Sequence, residues 1–290
     1  MAWFCTQRCI SPQLQQYRES ELSLRLLLRR REILFSVQAD DLRILCTGSY
    51  VYQDDSLHTS PVAVDDSPQQ ATALFKQRLS DLSRAEVLLN PDWQYRRIEY
   101  TVASEEALLM PAEYGITPDP AQLLHTLYPL PQHPEEITVE KFKQRRLHCH
   151  IVTGFPNFYT PTVRAVYPQA EHKSVYARLA ERFFMADDLP KRFPNHILLC
   201  LRPPYFDLWL KSPEGLLLAN RYPYHSYDNL LYYLLYALNK HKIDAGNTFL
   251  LVCGAARPEK IGERLDAHVG AWAYPPFESH TLCLPPVYKA

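Results

Sequence analysis

Glycine is scarce in this chain, 8 of 290 residues, under half the usual share of about 7%. Loops that cradle a phosphate with backbone amides normally need glycine, so chemistry of that kind starts at a disadvantage here. Long apolar runs are missing too: no stretch reaches the roughly 18 residues of a membrane-spanning helix, and the opening "MAWFCTQRCISPQLQQYRES" holds nothing long enough for a signal-peptide core. A cytoplasmic location is the resulting expectation. Neither sign of charge is in excess, with 31 Lys+Arg against 32 Asp+Glu and a net charge of -1. No global field draws the molecule to nucleic acid or anionic lipid, and neither is expected as a partner. The motifs G-x-S-x-G, H-E-x-x-H and G-x-x-x-x-G-K-[ST] are all absent.

What is present is a core. The chain is 47% hydrophobic and rich in rings, with 19 Tyr, 12 Phe and 4 Trp, and its length favours two domains of ordinary size. Most rings lie in strand or helix patterns, which assigns them to packing rather than to base stacking. The seven cysteines, Cys5, Cys9, Cys46, Cys149, Cys200, Cys253 and Cys283, are odd in number and widely spaced. Several sit in strand-like runs such as "RILCTG" and "FLLVCGA", the pattern of reduced, mostly buried thiols.

Residues 1–20 read as a polar, patternless, flexible tail. From Ser23, "SLRLLLRRREILFSVQADDLRILCTGSYVY" reads as strand, turn, strand, turn, strand. After a Pro, Ser and Asp-rich linker, "QQATALFKQRLSDLSR" has the spacing of an amphipathic helix. Strands follow at "RRIEYTVAS" and "ALLMPAEY", then a Pro-rich segment, a strand at "RLHCHIVTGF" and helices at "YTPTVRAVY" and "SVYARLAERFF". The same order then begins again. Strands 197–201, 205–211 and 215–222 form a second meander, followed by the helix "SYDNLLYYLLYALNKHKI" capped by Ser226, the strand "TFLLVCGA", the helix "PEKIGERLDAHVG" and "AWAYPPFE". The Leu and Tyr residues of the Tyr-rich helix cover nearly its whole circumference, so burial on more than one side is expected. Two halves follow, 21–190 and 191–290, each expected to hold a mixed five-stranded sheet that begins with a three-stranded meander.

That repeated order resembles the duplicated ribonuclease-H-like fold of the actin, sugar kinase and heat-shock ATPase superfamily. More narrowly, the second meander, the Tyr-rich helix and "FLLVCGAARPEKIGERL" are similar to an uncharacterised bacterial family, domain of unknown function 3822, over roughly residues 21–280. The resemblance implies an α/β fold of two ribonuclease-H-like halves in an actin-like ATPase-type arrangement. It also implies that "FLLVCGAARPEKI" corresponds to the superfamily's adenosine segment, with Gly254-Ala255 in place of Gly-Gly. Fold alone does not give function, which has to be argued from the site.

Nucleotide-using members of the superfamily end the first strand of each meander with Asp-x-Gly, the acid organising magnesium and the glycine freeing amides for phosphate. The first half offers "LRLLLRRREILF", whose turn is Arg29-Arg30-Arg31, and the second offers "LLCLRPPYFDLW", where Pro203 and Pro204 have no amide hydrogens to donate. The nearest acids, Glu32 and Asp207, lie beyond the turns. Arg29 to Arg31 could clamp a phosphate through side chains alone; the plainer reading is a solvated hairpin turn. His148 and His150, two apart on a strand, lack a third ligand for zinc, and Cys5 with Cys9 have no second pair nearby.

No catalytic residue, metal or cofactor is therefore expected. The leading reading is a non-catalytic adaptor or scaffold with an actin-like fold that acts through another protein, a homodimer being among the options. The alternative is a degenerate nucleotide-binding or phosphotransfer enzyme holding its cofactor at Gly254, Ala255 and Arg257. For the partner surface, two Pro and aromatic-rich segments, "NRYPYHSY" and "YPPFESHTLCLPPVY", nominate Tyr222, Tyr224, Tyr274, Phe277 and Tyr288, expected to be substantially exposed.

Overall fold

The computed structural model describes residues 2–29, 32–40, 43–53, 68–103, 106–112, 119–127, 135–144, 147–185, 189–202, 204–254 and 258–273. Two compact units divide them: residues up to 140 with 150–178, and residues 141–149 with those from 179 onward. The division thus falls after residue 178, not 190, and assigns 141–149 to the second unit.

The first unit opens with β1 (Ala2–Ile10), then a meander of β2 (Leu22–Leu28), β3 (Glu32–Ala39) and β4 (Ile44–Gln53). Helix α1 (Pro68–Ala85) and β5 (Arg97–Val102) follow. An inserted group of β6 (Glu106–Pro111), α2 (Pro120–Leu127), β7 (Glu135–Gln144) and β8 (Leu147–Pro156) precedes α3 (Tyr159–Val166) and β9 (Glu171–His172). The main sheet runs β1-β4-β3-β2-β5-β9, with β2 antiparallel to β3 and parallel to β5. Alternation places Leu22, Leu24, Leu26 and Leu28 on one face, in a single core with Phe75, Leu79 and Leu82 of α1. On the opposite face, Ser36, Gln38, Glu99 and Thr101 are buried polar residues.

Helix α4 (Val175–Met185) contains the boundary between the units. The second unit continues with β10 (Asn195–Arg202), β11 (Tyr205–Ser212), β12 (Gly215–Pro223), α5 (Tyr227–Lys240), β13 (Thr248–Gly254), α6 (Pro258–Asp266) and β14 (Ala271–Ala273). Its sheet runs β12-β11-β10-β13-β14. Order and direction match β4-β3-β2-β5-β9 strand for strand: antiparallel through each meander, parallel from the first meander strand onward. Ile197, Leu199 and Leu201 of β10 meet Leu230, Leu234 and Leu238 of α5 and Ile261 and Leu265 of α6 in one core.

Three expectations are corrected. Residues 1–20 are not a loose tail, because β1 pairs antiparallel with β4 from Ala2 to Ile10 and makes the first sheet six-stranded rather than five-stranded. Trp3 anchors it by donating Nε1–H to the Arg78 carbonyl at 2.7 Å, and Arg8 reaches buried Glu86 at 3.0 Å. The Pro-rich segment after β6 is also not merely a connection, since it contains α2 and β7, and β7 lies beside β8 in a three-stranded sheet ordered β6-β8-β7. Finally, α5 is not buried all round. Its leucines face the core, but Tyr232 and Tyr236, four residues apart, are 62% and 51% exposed.

Candidate functional site

The meander turns are where the resemblance calls for phosphate and metal chemistry. In the first unit, β2 ends at Leu28 and Arg29 comes next. Its backbone N–H donates to the Glu32 carbonyl at 2.8 Å, which closes the hairpin, and its guanidinium grips the Glu32 carboxylate at 2.6 Å. Ser49 of β4 donates to the other Glu32 oxygen at 3.2 Å. The Arg29 charge is thus met by Glu32 within the hairpin. Arg30 and Arg31, the rest of the supposed clamp, lie outside the described residues.

The second unit repeats this arrangement at greater depth. Arg202, the last residue of β10, donates Nε–H to Asp207 Oδ2 at 2.7 Å, and Arg221 of β12 donates to Oδ1 at 2.9 Å. Asp207 is fully buried, and the two arginine side chains are 10% and 6% exposed. Register accounts for the meeting, because Asp207 pairs directly with Cys200 on one side and with Arg221 on the other. Both Asp207 oxygens already accept from guanidinium groups, and cations so close to the carboxylate disfavour a divalent cation there. Both strand ends that would carry the acid of Asp-x-Gly therefore carry an arginine, and the acid on the next strand is already engaged. The arginines at matching strand ends and the acid after each turn are visible in the sequence; the contribution of Arg221 is not, since only the β11–β12 register brings it in.

A further buried carboxylate lies on the polar face of the first sheet. Glu99 of β5 is held by Arg25 of β2 at 3.1 Å, by Arg97 at 3.0 Å and by Arg178 of α4. Burial by itself would raise the Glu99 carboxyl, but Arg178, Arg25 and Arg97 outweigh it and hold the group below its ordinary range.

Gly254 ends β13 with φ +89°, a conformation that L side chains rarely adopt. A Cβ there would stand 2.1 Å from the backbone oxygen of Leu201, its register partner on β10. Strand packing alone therefore requires the glycine. Ala255 and Arg257 lie outside the described residues. His148 is exposed and His150 buried, and among the described residues no group of three or more His, Cys, Asp or Glu side chains could hold a metal ion.

Of the five nominated contact residues, Tyr274, Phe277 and Tyr288 lie outside the described residues. Tyr222 and Tyr224 are half-buried, not substantially exposed. Tyr222 packs on Phe206 at 5.5 Å and stacks on Tyr233 at 4.8 Å, while Tyr224 meets Phe206 edge-on at 5.7 Å. Burial raises the Tyr224 hydroxyl above its ordinary value. The ring contacts continue outward from Tyr233 to Tyr232 at 5.5 Å and from Tyr232 to Tyr236 at 6.2 Å. One aromatic run therefore leads from the core of the second unit to the surface of α5. The sequence reading missed its outer end because Tyr232 and Tyr236 stand among leucines in what looks like a wholly apolar helix.

Among the described residues no helix is long and apolar enough to cross a membrane. No curated protein matches the chain. Among solved structures, a Bacteroides thetaiotaomicron protein of actin-like ATPase fold and unknown function is 18% identical, with 88% of this chain and 91% of that one covered and a TM-score of 0.65. The apo psk41 ParM protein is 8% identical, with 91% and 95% covered and a TM-score of 0.42. The PilM–PilN type IV pilus biogenesis complex is 10% identical, with 91% and 94% covered and a TM-score of 0.41. The last two scores are too low to carry an argument. The first shows the fold alone, a mixed α/β actin-like ATPase fold, in agreement with the two matching mixed sheets. The model of the family described as "Protein of unknown function (DUF3822)" matches residues 12–269, and the chain belongs to that family.

Proposed function

We propose that this protein is a non-catalytic member of the actin-like fold, an adaptor or scaffold that acts through contacts with another protein. The observation that carries this reading is the pair of arginines, Arg29 and Arg202, at the ends of the first meander strands, each engaged with the acid of the next strand. A magnesium-nucleotide complex needs an acid there and free donors around it. The cation repels the metal, and the paired carboxylate competes with phosphate for the guanidinium. Gly254, the strongest support for a nucleotide-using alternative, is accounted for by its close approach to Leu201.

The contact surface in this proposal is the aromatic run of the second unit. Tyr232 and Tyr236 supply exposed ring area with few rotatable bonds, and Tyr222 and Tyr224 stiffen it from beneath by packing on Phe206. Tyr274, Phe277 and Tyr288 remain part of the proposed surface on sequence grounds.

Calorimetric titration of the full chain with ATP and magnesium, followed by a phosphate-release assay, tests the non-catalytic reading. The expected result is no saturable binding at micromolar nucleotide and no turnover. Micromolar affinity weakened by Arg202→Ala would overturn it.

A further inference from the structure

Two thiols lie side by side in the middle of the second sheet. Cys200 of β10 and Cys253 of β13 are direct partners in the parallel register, and both are free. Paired positions on neighbouring strands send their side chains to the same face, and the strands run about 4.8 Å apart. A disulfide accepts Cα separations of about 4.4–6.8 Å, so the backbone already stands within bridging range. At the next register position the chains are drawn closer than side chains would allow, because Gly254 leaves no Cβ against the Leu201 carbonyl. The two sulfurs also differ in access, Cys200 being fully buried and Cys253 half-buried.

We propose that Cys200 and Cys253 form a dithiol that a hydroperoxide oxidises to a disulfide, a reversible modification site that clips β10 to β13. Cys253, reachable from solvent, reacts first. Its thiolate attacks the O–O bond, an S–O bond forms, and the leaving oxygen departs as water or alcohol with the proton that the thiol gave up. The Cys200 sulfur then attacks the sulfenic sulfur of Cys253. The S–S bond forms, the S–O bond breaks, and hydroxide leaves with the Cys200 proton as water. In sum the two thiols lose two hydrogens and two electrons, and the peroxide is reduced. Burial, followed by the hydrogen bond with Cys253, raises the Cys200 thiol well above its ordinary value. Cys200 is therefore the harder thiol to ionise and does not start the reaction; it gives up its proton only as it attacks the sulfenic sulfur beside it. Cys253 is half-buried rather than enclosed, and a bridge with one partly exposed cysteine is open to reductant, as a reversible modification requires.

The test uses the full chain with Cys5→Ser and Cys9→Ser, which removes the two exposed thiols on β1. The folded protein is treated with one equivalent of hydrogen peroxide and mapped by non-reducing proteolysis and mass spectrometry. The expected product is a peptide containing Cys200 linked to one containing Cys253, lost on adding dithiothreitol. Adding Cys200→Ser should leave Cys253 as a sulfenic acid trapped by dimedone. Should that variant not fold, Cys253→Ser serves instead, with loss of the linked peptide and a Cys200 that stays a thiol. Linkage only under denaturant overturns the proposal. So does a folded protein in which Cys253 stays untouched, or proceeds to sulfinic acid beside a free Cys200.

Discussion

Arg202 and Asp207 face each other across the first hairpin of the second unit, with Nε 2.7 Å from Oδ2, and Arg221 closes the other carboxylate oxygen at 2.9 Å. An aspartate with no exposed surface depends on both partners. Removing the carboxylate leaves two nearly buried guanidinium groups without it, so Asp207→Ala is expected to cost about 3–5 kcal/mol in urea denaturation. Replacing Arg202, Asp207 and Arg221 together by apolar residues of similar volume should cost much less. Equal losses in the two variants would show that packing, not charge, sets the effect.

Glu99 couples stability to pH. Its carboxyl is lowered in the folded state, burial being outweighed by Arg178, Arg25 and Arg97. A depressed carboxyl contributes stability above its unfolded value of about 4.3. That contribution is lost as pH falls through the folded value. Melting temperature should therefore drop on acidification below about pH 4 by more in the wild type than in Glu99→Gln, which is itself less stable near neutral pH. Parallel slopes for the two proteins would contradict the assignment.

Gly254→Ala adds a Cβ where backbone already stands and fixes an alanine at positive φ. The expected loss is about 1–3 kcal/mol of stability by thermal or chemical denaturation. An unchanged melting temperature would mean that the strand approach is not what requires glycine.

Trp3 is half-buried and holds β1 through its hydrogen bond to Arg78 and its edge contact with Tyr52 at 5.3 Å. Trp3→Ala should cost about 2 kcal/mol, less than the roughly 3–5 of a fully buried Trp. It should also increase proteolytic cleavage within residues 1–20, read by mass spectrometry; unchanged cleavage would argue against the anchor.

Tyr232→Ala with Tyr236→Ala removes exposed rings only, so the melting curve should shift by no more than about 0.5 kcal/mol in stability. Association with a partner protein, measured by calorimetry once that partner is in hand, should fall at least tenfold. A large loss of stability would instead assign both tyrosines to the core.

Much of the architecture is legible locally. The alternation of Leu22, Leu24, Leu26 and Leu28 announces a strand with one buried face, and the repeat of meander, helix, strand, helix and strand announces two matching sheets. The helix cap at Ser226 is equally local, its hydroxyl accepting from the Asn229 amide at 3.1 Å. By contrast, β1 carries little alternation because it is an edge strand, and the contacts that hold it join residues 75 and 78 positions apart. The segment containing α2 and β7 was obscured by its prolines.

Strand and helix periods and turn chemistry are properties of neighbouring residues, so the duplicated α/β order and the lack of acid and glycine in both meander turns are already legible in the chain. Strand pairing in the folded molecule is what engages Arg29 with Glu32 and Arg202 with Asp207, brings Arg221 to the same carboxylate, and sets Cys200 beside Cys253. Tertiary packing also decides that Tyr222 is covered while Tyr232 is exposed. The strand contacts among these depend on which strand returns beside which and in what register, and a shift of one residue would turn Asp207, Arg221, Cys200 and Cys253 to the opposite face.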